Sequence, residues 1–219
     1  MGDIRIGRVR MSTTAAQQRV GEYTDPDHID SKSPYAYPAY DELDTGSDAN
    51  QLNDGDLLAC TLLNVRLSTS AFYRFRDMRP DLEAALSATP DAPLVDLDDE
   101  SVSAKTRSLY AVLDADRSAH GARGQSGTTL SKILHRKHPE SLPLHDKWVR
   151  ECYLGTEAVP RVRRRSWADY MVLVTLAMKQ DLARHQEEFA QLRAAVRGDT
   201  HLTDLRILDI LAWTSKGAG

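Results

Sequence analysis

Between Ala122 and Arg150 the chain reads ARGQSGTTLSKILHRKHPESLPLHDKWVR, and its glycines and prolines leave the backbone few paths. Gly124, Ser126 and Gly127 form a short turn, because each glycine inside a continuous helix would cost about 1 kcal/mol. Thr128 or Thr129 then opens a helix carrying Leu130, Ile133 and Leu134. Pro139 ends that helix, LPL crosses back as an extended apolar link, and Asp146 stands where the following helix, DKWVREC, begins. The spacing predicts a helix-hairpin-helix over about 121–150, with Asp146 at the opening of the next helix.

The rest of the chain fits around such a centre. From Asn53 onward Leu57, Leu58, Thr61, Leu62 and Val65 repeat with helical spacing, with Asp54 as N-cap. Further helices are expected over 69–78, 80–88, 99–116, 166–178 with a polar continuation through Arg197, and 203–216, with Gly198 and Gly217 as helix stops. No strand-type alternation runs longer than about four residues, and there is no internal repeat or heptad array. The expected fold is therefore all-α, a single orthogonal helical domain over 51–219. Residues 1–50 mix Gly, Pro, Ser, Asp and Tyr with little periodicity and are expected to form an irregular N-terminal arm, pinned to the helices by Tyr35, Tyr37 and Tyr40.

Composition bounds the partners. The net charge of −4 excludes a protein that coats nucleic acid indiscriminately, yet residues 117–165 carry +7 and the remainder −11. Such separation points to an anionic partner for one face, against the blander account of a solvated helix surface. Cys60 and Cys152 lack metal or disulfide spacing and are read as buried thiols. His135 and His138, three apart near a helix end, are read as solvated side chains, so no metal or other cofactor is expected. The opening MGDIRIGRVRM has no apolar run, and Tyr170 to Met178 is too short to cross a bilayer, so a cytoplasmic protein without a membrane partner is expected.

The central segment resembles the helix-hairpin-helix DNA glycosylases, in which a Gly-x-Gly hairpin, a helix and an apolar linker lead to a catalytic aspartate. Gly124-Gln125-Ser126 occupies the hairpin, TTLSKIL the helix, and LPLHDKWVR the segment holding the acid. The resemblance implies a catalytic Asp146. Ser126 replaces the second glycine, the position near Thr128 carries no lysine, and no four-cysteine iron–sulfur loop is present. What is implied is a monofunctional N-glycosidase using water as nucleophile. Over a longer span, DGDLLACTLLNVRL, SKILHRKHPESLPLHDKWV and TDLRILDILAW resemble an uncharacterised all-α domain family of actinobacteria.

Departure of a base leaves positive charge on the sugar, which a carboxylate at Asp146 would stabilise. The same Asp at a helix start also caps free N–H groups. Gly124, Ser126, Gly127, Thr128, Lys132 and Lys147, with Arg136, Lys137 and Arg150, suit the phosphates of DNA, RNA or a nucleotide, as do Arg163, Arg164 and Arg165 in PRVRRRSWADY. Trp148 and Tyr110 are candidates for stacking on a base, alongside Trp167 and Tyr153, with core packing as the alternative. Asp209 and Arg206, three apart on one helix, read as a structural pair. The expected function is N-glycosylase-like, on a nucleobase in nucleic acid or in a free nucleoside or nucleotide. The alternatives are a non-catalytic nucleic-acid-binding protein or a structural interaction protein.

Overall fold

A computed structural model describes residues 2–28, 38–88, 91–121, 126–199 and 201–217. The architecture is all-α apart from one small hairpin. Strands β1 (Asp3–Ile6) and β2 (Val9–Ser12) pair antiparallel, with Arg5 opposite Arg10 and Ile6 opposite Val9. Ser12 caps α1 (Thr13–Tyr23) by accepting from the Ala15 amide. An irregular N-terminal arm therefore does not describe residues 3–23. Ile4, Ile6, Val9 and Met11 alternate with polar residues across Gly7 and turn one face of the hairpin into the core. Gly7, at φ 57°, makes the turn, and a Cβ there would lie 2.3 Å from the Cys152 carbonyl oxygen. The outer edge of β1 is closed by side chains, as the amides of Arg5 and Gly7 donate to His185 (3.1 Å) and Asp181 (2.6 Å).

The remaining elements are α2 (Pro38–Glu42), α3 (Asp54–Ala59), α4 (Thr69–Asp77), α5 (Arg79–Ser87), α6 (Asp99–His120), α7 (Gly127–Lys137), α8 (Lys147–Tyr153), α9 (Trp167–Arg184), α10 (Gln186–Arg193) and α11 (Asp204–Ser215). Most begin at a capping residue legible in the sequence, such as Asp98, Ser166 and Thr203. Two starts differ by a small shift from expectation. Asn53, not Asp54, caps α3 in a reciprocal box with Asp56, and Ser126 caps α7 one turn ahead of Thr129.

The long helices α6 and α9 lie against each other and join two apolar clusters. One gathers the hairpin, α1, α8, α10 and α11; the other gathers α3 to α7. The junction is tied at Asp114 on α6, whose two carboxylate oxygens accept from the amides of Trp167 (3.0 Å) and Ala168 (2.9 Å) at the start of α9. Tyr40 is buried and donates to the Lys132 carbonyl at 2.6 Å, which fastens α2 to α7; Tyr35 and Tyr37 lie outside the described residues. Among the described residues no helix is long and apolar enough to cross a membrane.

Candidate functional site

Helix α7 is buried on nearly every side, and this decides what its polar residues do. Ser131 accepts from the His145 amide at 3.0 Å, and His135 bonds the Leu142 carbonyl at 2.7 Å. These bonds lash the extended link 142–145 along the helix. They deliver Asp146 to the start of α8, where Oδ1 accepts from the amides of Trp148 (2.7 Å) and Val149 (2.9 Å). Asp146 is thus a helix cap. Its side chain is half-buried, and among the described residues nothing donates to Oδ2.

Asp146 lines a cavity of about 70 Å³ with Tyr23, Leu63, Asn64, Lys132, Arg206, Asp209, Ile210 and Trp213. The walls come from α1, α7, α11 and the loop at 63–64. The Tyr23 and Trp213 rings meet edge to face, 6.1 Å apart. Asn64 holds a left-handed backbone at φ 59°, uncommon for a residue other than glycine. Behind the cavity Arg206 is wholly enclosed. It bonds both Asp41 oxygens (2.8 and 3.0 Å), Asp209 (2.6 Å) and the Tyr23 hydroxyl (2.9 Å).

The charges facing the cavity are strongly perturbed. Burial, helped by the charge of Asp146, pushes the Asp209 carboxyl up to about 6 against the pull of Arg206 and Lys132. Burial lowers the Lys132 ammonium, although Asp209 and Asp146 favour its charge. Lys132 donates to the Leu63 carbonyl at 3.2 Å. Two carboxylates and an amine, drawn from sequence positions far apart, therefore share one small enclosure. Perturbed groups of this kind concentrate where chemistry occurs.

The other expected site residues scatter. Ser126 is occupied as the cap of α7, accepting from the Thr129 amide at 3.1 Å. Gly127 is packed beneath Trp167, where a Cβ would fall 2.1 Å from the indole, so only glycine fits there. Thr128 reaches His145 at 3.4 Å. Gly124 lies outside the described residues. Lys132 faces the cavity and not a surface phosphate, Arg136 donates to the carbonyls of Tyr40 and Leu43, and Lys137 pairs with buried Asp56 at 3.3 Å. Tyr110 is sealed in the core and is not available for stacking. Trp148 is half-buried with the Lys147 ammonium 4.5 Å above its ring. Arg163 and Arg164 are exposed, and Arg165 is half-buried, on the loop before α9.

His135 and His138, expected in solvent, are both buried. The histidine that sequence reasoning passed over is His145, which bonds the Tyr170 hydroxyl at 3.0 Å and packs edge to face on Trp167 and Tyr170. Tyr23, Asn64 and Trp213 were also missed as cavity residues. They carry no motif, and only folding brings them beside Asp146.

Residues 16–216 match a family described as "Family of unknown function (DUF6308)". No curated protein and no solved structure matches the chain.

Proposed function

We propose that this chain, which belongs to the DUF6308 family, hydrolyses an N-glycosidic bond in a nucleic acid, nucleoside or nucleotide, with Asp146 as the catalytic carboxylate. The observation that carries the reading is the division of labour within one side chain. Oδ1 of Asp146 is fixed by two amides, while the carboxylate borders a cavity that also holds Asp209, Lys132, the Asn64 side chain and two aromatic rings. A carboxylate locked by its own helix start is already oriented before substrate arrives, which is what electrostatic stabilisation of a developing cation requires.

The cavity, at about 70 Å³, has room for one or two waters and not for a base. In this reading the water waits inside and the sugar lies over the mouth. As the C1′–N bond breaks, its electron pair leaves with the base, and the water oxygen bonds to C1′ opposite. The water's proton passes to Asp209, whose pKa of about 6 suits a proton acceptor near neutral pH. The base takes its proton from solvent.

The test is base release, followed by chromatography, from a panel of damaged single- and double-stranded DNAs and free nucleosides. Wild type should release a base from at least one of them, and Asp146→Asn should lower that rate about a hundredfold. The variant keeps an oxygen to accept from the Trp148 and Val149 amides, so loss of the cap does not confound it. No release by the wild type from any member of the panel, or equal release by Asp146→Asn, overturns the reading.

A further inference from the structure

Six arginines on the face formed by α8 and the loop that follows it lack a carboxylate within ion-pair distance among the described residues: Arg8, Arg150, Arg161, Arg163, Arg164 and Arg165. They are not scattered. Arg8, from the β-hairpin, donates to the Leu154 carbonyl, and its amide bonds the Cys152 carbonyl at 3.0 Å, so the hairpin is anchored on the end of α8. A Cβ on Gly155 would meet the Arg161 Nε at 2.9 Å and the Arg8 Nη2 at 3.5 Å, which sets these two guanidiniums side by side over that glycine. At the other end, burial pushes the Tyr170 hydroxyl up to about 12, and Arg150 and Arg165 both lie close enough to pull against it. Arg163 and Arg164 span the interval, with the chain turning at Arg164 through a left-handed φ of 62°.

The loop 161–165 joins the two ends in sequence and carries Arg161, Val162, Arg163 and Arg164 exposed, which makes a band of arginines from Arg150 to Arg8 the simplest reading of this face. The acids nearby are Glu151, Glu157 and Asp169, and Asp169 is already paired with Arg107. Arg165 lies within electrostatic reach of Asp169, but six arginines outnumber the three acids of this stretch. Isolated cations on a surface are ordinary. A row of guanidiniums matches a polyanion of regularly spaced charges better than a single anion.

We infer that this arginine band is a docking surface for the phosphodiester backbone of a single-stranded nucleic acid. The surface does not depend on Asp146 being catalytic.

The experiment is fluorescence anisotropy of labelled oligothymidylate with the full chain across a potassium chloride series. Affinity should fall with a log–log slope of about −3, as expected when four or five phosphates of a single strand are neutralised. Arg8→Gln with Arg161→Gln, and separately Arg150→Gln with Arg165→Gln, should each weaken binding at least tenfold and reduce the slope by about 1.4. Arg76→Gln on α4 removes a charge elsewhere and should leave binding unchanged, as should Asp146→Asn. Absence of binding by the wild type at low salt overturns the inference, as does equal weakening by Arg76→Gln. Labelled polyglutamate binding as tightly as the oligonucleotide also overturns it, and makes the band a site for an acidic protein. Loss of base release in Asp146→Asn with intact oligonucleotide binding separates this surface from the chemistry.

Discussion

Lys132, Arg136 and Lys137 on α7, and Arg161, Arg163, Arg164 and Arg165 before α9, belong to one basic stretch of sequence and meet opposite fates. The first three turn inward. Lys137 is joined to Asp56, Arg136 to two backbone carbonyls and the Tyr40 ring, and Lys132 to the Leu63 carbonyl beside the cavity. The arginines before α9 face solvent wholly or in part, and none has a carboxylate within ion-pair distance among the described residues. The difference teaches that local charge density does not mark a binding face. What matters is whether the segment is wrapped by others, and α7 is covered by α2, α3 and the 142–145 link, whereas Arg161, Arg163 and Arg164 on the loop before α9 stay exposed.

The sharpest way to break the contrast is to remove one member of the enclosed set. Asp56 accepts from Thr45 (2.7 Å), Ser47 (2.5 Å), the Asn53 amide (2.9 Å) and Lys137. Asp56→Ala should cost about 3–5 kcal/mol, read from urea unfolding, because the Lys137 ammonium is left buried and unpaired.

An intermediate effect is expected from acid. Burial lowers His145 to about 3 and His135 to about 4, so the folded chain refuses protons that the unfolded chain accepts below pH 6.5. Stability is therefore complete above pH 6.5 and is lost as pH falls toward 4. Asp209 acts in the opposite sense, because its raised pKa contributes most below about pH 4 and its contribution fades as pH rises through 6. His145→Gln should flatten the loss between pH 6 and 4 by about 1.4 kcal/mol per pH unit in unfolding titrations.

The smallest effect belongs to the outward set. Arg163→Gln with Arg164→Gln should change unfolding stability by less than about 0.5 kcal/mol, since neither side chain makes an ion pair among the described residues. A loss comparable to that of Asp56→Ala would show that the loop is held by contacts like those of α7, and the comparison would collapse.

The local elements were legible because their signals are local. The helix openings at 99, 166 and 203, which Asp98, Ser166 and Thr203 cap, and the stop at Gly217 need only neighbouring residues, whereas α10 ends at Arg193, short of the expected stop at Gly198. The hairpin at residues 3–12 was equally written in Ile4, Ile6, Val9 and Met11, but four-residue strands fall at the limit where alternation is distinguishable from chance. The sequence also placed Asp146 at a helix opening, where two amides now hold it.

What the sequence alone determined, then, is that Asp146 begins a helix in a basic segment of an all-α chain. Tertiary structure decided its company. Tyr23, Asn64, Lys132, Asp209 and Trp213 reach the same cavity from positions as much as 190 residues apart, 23 to 213, and no periodicity encodes such a meeting. Tertiary structure also decided which cations look outward. Burying a charge depends on partners such as Asp56 for Lys137 and the Tyr40 and Leu43 carbonyls for Arg136, and those partners are near only after the chain has closed on itself.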